Sequence, residues 1–163
     1  MVLRKIRTPI PEAADTDAYK GILYVEDDDD NWELTFLALR ERFQLYRAKD
    51  SYTALELLKQ NRYDIVLMDI ELSGSQYNGI EITQRIKKYA ADGIGMYDKN
   101  YDTPIVFVTA YGARYSRDEL VAAGASDVIE KPVDFGRLSR VITKLTLKET
   151  YAALSHIRKN FGR

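Results

Sequence analysis

Acidic side chains follow two short apolar runs of the sequence, and their types are suited to binding a metal ion. Ile65–Met68 is an uninterrupted apolar stretch that ends on Asp69, and the stretch Gly21–Glu26 ends on Glu26 and is followed by Asp27. Unalternating apolar runs are typical of strands covered on both faces in a parallel sheet. The carboxyl ends of such strands meet at one edge, where ligands bind. We therefore expect Glu26, Asp27 and Asp69 to lie together.

Carboxylates at such short range repel one another, by roughly 4 kcal/mol per pair at about 4 Å in an intermediate dielectric. The predicted cluster therefore requires a cation. The sequence contains no cysteine, and its single histidine, His156, lies close to its end. Oxygen ligands without His or Cys favour a hard, octahedral ion such as Mg²⁺.

A hydroxyl and an ammonium group follow two further predicted strands. Thr109 comes directly after Pro104–Val108, and Lys131 follows Ser126–Glu130. Together with Mg²⁺, this set suits phosphoryl transfer, in which Asp69 is the nucleophile that forms an acyl phosphate and the ion and Lys131 neutralise the phosphoryl oxygens. The alternative for Asp69 alone is that it merely ends its strand and caps the next segment of the chain.

The elements that must position these residues alternate between strands and helices. The predicted strands are Gly21–Glu26, Phe43–Ala48, Ile65–Met68, Pro104–Val108 and Ser126–Glu130. The predicted helices begin at Asp30, Ser51, Ile80, Ser116 and Asp134 and end near Arg42, Asn61, Ala90, Gly124 and Leu145. Asp30 with Glu33, and Ser116 with Glu119, fit the pattern of a capping box. Five such pairs predict an α/β fold, a three-layer (βα)5 doubly wound parallel sheet with right-handed crossovers.

Length and composition exclude several classes of protein. A chain of 163 residues is long enough for one domain with tails. With 24 basic and 25 acidic residues and a net charge of −1, no overall field attracts nucleic acid or an anionic membrane. There is no membrane segment and no signal-peptide pattern, so we expect a cytoplasmic protein.

Five segments, in this order, resemble the response-regulator receiver domains, the CheY-like family of two-component signal transduction. They are ILYVEDD at 22–28, DIVLMDI at 64–70, NGIEI at 78–82, PIVFVTA at 104–110 and GASDVIEKPV at 124–133. The resemblance covers roughly Lys20–Leu145. It implies a flavodoxin-like sheet with strand order 2-1-3-4-5, the order that receiver domains adopt.

The resemblance also implies a role for each acid. Asp69 would accept a phosphoryl group from a phosphohistidine on a histidine kinase or a histidine phosphotransfer protein. Asp27 and Asp69 would bind Mg²⁺ directly and Glu26 through water, while the backbone carbonyl of Glu71 completes the protein ligands.

The remaining family positions concern the phosphoryl group and the response to it. Thr109 and Lys131 would contact the phosphoryl oxygens. Glu71 and Tyr111, two residues after the acceptor and two after the threonine, are expected to modulate the lifetime of the phosphoryl group. The switch position three residues before the lysine is Val128, where the family usually has an aromatic residue. The usual movement of that side chain is therefore in doubt, and Tyr111 or Tyr115 could take some of its role.

Two other departures concern loops. Ser73 stands where proline is common, in a loop that is about two residues longer than usual before Gly79, which could place Glu71 differently. The connection Ala91–Asp102 is also long, and we expect it to add a partner surface beside the site. Tyr97, Tyr101, Tyr111 and Tyr115 fall in predicted loops or near a helix start and are candidates for a docking surface.

We expect three segments: a poorly ordered extension at 1–20, the receiver domain at 21–145 and a helical extension at 146–163. Thr146 could cap a separate helix in the last segment, which is too short for a DNA-binding output domain. This tail either packs back on the domain or pairs with a partner or a second copy. A homodimer through it, or through the face of the fourth helix, fifth strand and fifth helix, is left open.

Two functions remain. The first is a stand-alone receiver that catalyses only its own phosphorylation and dephosphorylation and signals to a downstream protein target or within a phosphorelay. The second is a Mg²⁺-dependent phosphohydrolase of the haloacid dehalogenase type, with Asp69 as nucleophile. In that class the nucleophile lies on the first strand and a second aspartate two residues later acts as acid, whereas here Glu71 occupies that position.

Overall fold

The computed structural model describes residues 21–91, 96–110 and 114–161, and within them five parallel strands form one sheet. The strands are β1 Ile22–Val25, β2 Leu45–Ala48, β3 Ile65–Met68, β4 Ile105–Thr109 and β5 Asp127–Glu130. The helices are α1 Asp29–Leu39, α2 Ser51–Gln60, α3 Gly79–Ala91, α4 Arg117–Ala122 and α5 Phe135–Phe161, with a 3₁₀ turn at Asp98–Asn100. The strand order β2-β1-β3-β4-β5 confirms the predicted fold class and the order implied by the resemblance.

Both faces of the sheet are covered, which explains the unalternating apolar runs. Every residue of β1, β3 and β4 is buried. One core cluster includes Leu23, Val66, Phe107, Leu58, Ile82 and Leu120. The other includes Tyr24, Leu67, Val108, Leu39, Leu138 and Ile142. The first therefore joins α2, α3 and α4 to the sheet and the second joins α1 and α5, with about 1.5–3 kcal/mol gained for each large apolar side chain fully buried.

The register of the central strands places the ends of β1 and β3 at the same level. Val25 is paired with Met68, and the backbone N–H of Asp69 donates a hydrogen bond of 2.9 Å to the carbonyl of Val25. Glu26 and Asp69 therefore leave the sheet side by side. This register, fixed by the buried apolar pattern, creates the acidic edge.

One of the two predicted capping boxes is confirmed and the other is wrong. Ser116 and Glu119 form the reciprocal pair at the start of α4. At α1 the cap is Asp28, whose carboxylate accepts from the backbone N–H of Asn31 at 2.8 Å, not Asp30. A run of consecutive aspartates offers several equivalent caps, and only the backbone path out of β1 selects among them.

Helix α5 continues without interruption through position 146, so the separate helix expected from Thr146 is wrong. The hydroxyl of Thr146 donates to the carbonyls of Ile142 at 2.9 Å and Thr143 at 3.2 Å. This is the bonding of a residue inside a helix and not of a cap. No glycine or proline lies between Arg137 and Phe161 to end the helix. No helix in the described ranges is both long and apolar enough to cross a lipid bilayer.

Residues 96–102, the described part of the connection after α3, do not lie beside the acidic edge. The expectation that a partner surface lies beside the site is therefore wrong for this part. The side-chain amide of Asn100 donates to the carbonyls of Leu58 and Asn61 at 2.7 Å, and its carbonyl accepts from Tyr63 at 3.0 Å. These partners place Asn100 at the edge where the strands begin, opposite the acidic edge. This is expected, because a helix-to-strand connection returns the chain to the amino end of the next strand. Tyr97 is only 4% exposed.

The remaining predictions on this connection have mixed outcomes. The burial of Tyr97 makes it a core residue, so its assignment to a docking surface is wrong, whereas Tyr101 is exposed. Residues 92–95 lie outside the described part of the chain.

Gly79 is predicted to be required for the loop that follows β3. Its backbone N–H donates to the carbonyl of Ile70 at 2.9 Å, and a Cβ there would overlap the carbonyl oxygen of Asp69 and lie 2.8 Å from Cγ of Met68. Gly79→Ala should therefore lower the free energy of unfolding by about 1–3 kcal/mol. Urea denaturation measures the effect.

The matched control is Gly136→Ala in α5, where the nearest atom to an added Cβ is a side-chain oxygen of Asp134 at 3.2 Å. Alanine is the better helix former, so this variant should be close to wild type. Equal stability of the two variants would contradict the close packing inferred at Gly79.

Candidate functional site

Three carboxylates converge at the carboxyl edge of the sheet, as predicted. Glu26 and Asp27 follow β1 and Asp69 follows β3, and one ligand oxygen from each lies within 4.8 Å of the others. Glu26 is fully buried and Asp69 is 6% exposed. The cluster is therefore a pocket within the edge of the sheet and not a solvated surface patch.

Lys131 joins two of these carboxylates. Its Nζ lies 2.6 Å from Oε2 of Glu26 and 2.8 Å from Oδ2 of Asp69. The backbone N–H of Lys131 donates to the carbonyl of Thr109 at 3.0 Å, which ties the end of β5 to the end of β4. Burial alone would lower the pKa of Lys131, but its hydrogen bonds to Asp69 and Glu26 hold the pKa above the ordinary value. Lys131 is therefore charged within the cluster.

Glu26 also accepts hydrogen bonds from the residues two before and two after it. The Tyr24 hydroxyl donates to Oε2 of Glu26 at 2.8 Å, and the backbone N–H of Asp28 donates to Oε1 at 3.1 Å. Burial raises the pKa of the Glu26 carboxyl, against the lowering effect of the hydrogen bonds from Lys131 and Tyr24. Burial, and then the charge of Glu26, also raise the pKa of Tyr24. Tyr24 therefore stays protonated and remains a donor.

Asp27 is held by the loop that follows β3. Its Oδ2 accepts from the backbone N–H of Ser73 at 3.0 Å. Proline, the common residue of the family at this position, has no N–H and could not make this bond. The departure at Ser73 therefore supplies a hydrogen bond that links the β1 and β3 loops.

Thr109 and Glu71 complete the described part of the site. Thr109 is fully buried at the end of β4. The backbone N–H of Glu71 donates to Oδ1 of Asp69 at 3.3 Å, but its carboxylate turns outward to the guanidinium of Arg114 at 2.9 Å. The Glu71 side chain is thus at the rim of the pocket.

The three positions linked to the switch have different outcomes. Val128 is a buried core residue, and Tyr115 is partly buried against the same cluster. Tyr111 lies outside the described residues.

The contacts that Tyr24, Ser73 and Arg114 make were not predicted from the sequence. Tyr24 lies two residues before Glu26, and residues two apart in a strand share a face, so its contact could have been inferred. The bonds of Ser73 and Arg114 depend on loop conformations that no local pattern specifies.

The donor set fits a hard divalent cation. The candidate ligand atoms are all carboxylate oxygens on a compact cluster, and such ligands suit Mg²⁺. Lys131 supplies one positive charge for two of the three acids. The remaining negative charge favours a second cation at the same edge.

Removing the charge of Lys131 should destabilise the fold strongly. Lys131→Met leaves Glu26 and Asp69 buried without their ammonium partner, and we expect a loss of about 3 kcal/mol in the free energy of unfolding near pH 7 without divalent metal. This loss of stability should become smaller towards about pH 5. Without the ammonium group the pKa of Glu26 in the folded variant rises further, so the folded state takes up a proton more readily than the unfolded state as the pH falls. Urea denaturation at both pH values tests this.

Lys59→Met is the matched control. Lys59 pairs with Glu56 at 2.7 Å on the surface of α2, with both side chains about one third exposed. Its removal should lower the free energy of unfolding far less than Lys131→Met does, because water screens a surface pair. Similar losses in the two variants would contradict the importance of the buried pair.

Comparisons with known proteins identify the family. The model for the response regulator receiver domain matches residues 22–143. The chain is 35% identical over 130 residues to the uncharacterized transcriptional regulatory protein YrkP of Bacillus subtilis, covering 78% of this chain and 50% of that protein. It is 31% identical to the response regulator protein PilR of Pseudomonas aeruginosa, covering 80% of this chain and 27% of PilR. The chain thus spans half or less of these curated relatives.

Solved structures agree with the fold. The receiver domain of the sensor histidine kinase PA1611 from Pseudomonas aeruginosa superposes with a TM-score of 0.66 and 25% identity, covering 79% of this chain and 98% of that one. That structure has a magnesium ion coordinated in its active-site cleft. With its converging acids, its bridging lysine and this agreement along most of its length, the chain belongs to the response regulator receiver domain family.

Proposed function

We propose that Asp69 accepts a phosphoryl group from a phosphohistidine on a histidine kinase or a histidine phosphotransfer protein, in a reaction that depends on Mg²⁺. The observation that carries the proposal is the position of Lys131, whose Nζ lies within hydrogen-bond distance of both Glu26 and Asp69. A charged amine there is suited to neutralise a phosphoryl group on the Asp69 carboxylate.

In the proposed reaction an Asp69 carboxylate oxygen attacks phosphorus. The oxygen–phosphorus bond forms while the nitrogen–phosphorus bond of the phosphohistidine breaks, and the imidazole leaves with the bonding electron pair. Lys131 would then follow the phosphoryl oxygens from its present position 2.8 Å from Oδ2 of Asp69. Thr109, at the end of the adjacent β4, would donate its hydroxyl to another phosphoryl oxygen.

Asp27 and Asp69 would hold Mg²⁺ directly, Glu26 through water, and the Glu71 carbonyl would complete the protein ligands. The ion supplies charge neutralisation for the transferring group when it is bound. Support comes from the compact all-oxygen cluster and from the magnesium ion in the cleft of the PA1611 receiver domain.

The contacts of Glu71 favour this function over a phosphohydrolase of the haloacid dehalogenase type. That chemistry uses an acid two residues after the nucleophile to protonate the leaving group. Here the Glu71 carboxylate is paired with Arg114 at the rim of the pocket, and the nucleophile follows the third strand in chain order and not the first. The surroundings of Asp69 therefore suit transfer to and from the aspartate and give Glu71 a modulating role.

The output would be binding to a downstream protein target that recognises the phosphorylated domain. Val128 is buried and small, so the change on phosphorylation would come from the loops around Thr109 and Glu71 and not from an aromatic side chain at position 128. Pairing of two copies, through α4, β5 and α5 or through residues 146–163, stays a prediction. Leu147, in α5, is half exposed and would lie in the second of these surfaces.

Incubation with Mg²⁺ and acetyl phosphate tests the proposal. Intact mass should show one phosphoryl addition to the wild type, and Asp69→Asn should abolish it because an amide is not a nucleophile that forms an acyl phosphate. Chelation of the metal should also prevent the addition.

The matched control is Asp98→Asn, an exposed acid in the 3₁₀ turn at the opposite edge of the sheet. It should be phosphorylated like the wild type. Addition that persists in Asp69→Asn, or steady hydrolysis of unrelated phosphate esters, would contradict the proposed function.

A further inference from the structure

Arg47, on β2, binds the backbone of both acids that follow β1. Its Nε donates to the carbonyl of Glu26 at 2.9 Å, and its Nη2 donates to the carbonyl of Asp27 at 3.0 Å. Its Nη1 donates to Oδ1 of Asp29, at the start of α1, at 2.7 Å. One guanidinium therefore spans the whole connection from β1 to α1.

The guanidinium is itself held in place. The Arg47 side chain is only 13% exposed, and its guanidinium carbon lies 5.6 Å from the ring centroid of Trp32, which allows a cation–π contact. Lys49 also pairs with Asp29 at 2.6 Å, so the carboxylate that binds Nη1 of Arg47 is bound by a second cation as well. Arg47 is thus a largely buried clamp and not an exposed surface residue.

The connection needs such a clamp. Residues 26–28 have no regular secondary structure, so the carbonyls of Glu26 and Asp27 lie beyond the ladder between β1 and β2. The backbone N–H of Glu26 still donates to Ala48 at 2.9 Å. Repulsion among the three carboxylates would drive this connection away from Asp69, and the two carbonyl bonds of Arg47 oppose that movement.

We propose that Arg47 is a positioning residue that pre-organises Glu26 and Asp27 for a divalent cation. The inference rests on the proposed function, because the cation is the Mg²⁺ of the phosphoryl transfer. Arg47 touches neither the ion nor the phosphoryl group and acts through the backbone of the acids. Residues that orient metal ligands in this way typically change metal affinity by about 10–100-fold when replaced.

The direction in which Mg²⁺ affinity changes when Arg47 is replaced distinguishes this role from a purely electrostatic one. A cationic side chain near a metal site repels the metal, so removal of its charge alone would tighten Mg²⁺ binding. Loss of positioning would weaken binding. Lysine keeps the charge but replaces the planar fork by a single ammonium, which cannot reproduce the same paired geometry.

A Mg²⁺ titration of wild type, Arg47→Met and Arg47→Lys tests the proposal without any phosphoryl donor. Trp32 is the only tryptophan in the sequence and lies beside the clamp, so its fluorescence reports binding, and titration calorimetry gives a second readout. The Mg²⁺ concentration at the midpoint of the titration should rise roughly tenfold or more in both Arg47→Met and Arg47→Lys. Thermal unfolding without metal establishes the temperature at which each variant is folded and can be titrated.

Arg40→Met is the matched control. Arg40 directly follows α1, and its guanidinium carbon lies 6.0 Å from the ring centroid of Phe36 in that helix. It also forms an ion pair with Glu41 at 3.5 Å. This variant removes an arginine beside an aromatic ring but not the carbonyl bonds, and its Mg²⁺ midpoint should equal that of the wild type.

Each other outcome has a distinct meaning. If the wild type saturates with Mg²⁺ but Arg47→Met binds equally or more tightly, or Arg47→Lys matches the wild type, the positioning role is overturned. If the wild type itself shows no saturable binding, the metal site fails, and with it the proposed function and this inference.

Discussion

The structure depends on the accommodation of three like charges at one edge of a parallel sheet. Glu26, Asp27 and Asp69 have ligand oxygens within 4.8 Å of one another, and two of these residues are almost fully buried. Such an arrangement is unfavourable unless cations or donors compensate for it. Lys131 supplies the charge, while Tyr24, Ser73 and backbone amides supply hydrogen bonds. The same compensation leaves negative charge for a divalent ion, so the features that stabilise the site also prepare it for chemistry.

Burial on both faces of the sheet is the reason that these acids meet. Because every residue of β1 and β3 is apolar or aromatic and buried, the register between the two strands is strongly specified. Glu26 and Asp69 are the first polar residues after β1 and β3, and Asp27 directly follows Glu26. The position of the candidate site is therefore set by where the apolar runs end, and the loops adjust the final positions of Asp27 and Glu71.

Much of this could be predicted from the sequence because it depends on periodicity and order. The apolar run before Asp69, the acids after β1 and the lysine after β5 are visible in the chain, and parallel topology brings them together. The cap of α1 could not be assigned, because consecutive aspartates are chemically equivalent there. The end of α5 was placed at Leu145 on a capping pattern at Thr146 that the helix overrides. The contacts of Ser73, Arg47 and Arg114 join residues distant in sequence, and only the folded backbone reveals them.

The central claim is that Asp27 and Asp69 share one divalent ion at the edge of the sheet. The most direct measurement is a crystal structure of the protein with Mn²⁺ in place of Mg²⁺, with the ion located by its anomalous scattering. We expect one strong anomalous peak within coordination distance of a carboxylate oxygen of each of these residues and of the Glu71 carbonyl. A well-ordered structure with no peak between β1 and β3, or with the ion bound elsewhere, would contradict the claim.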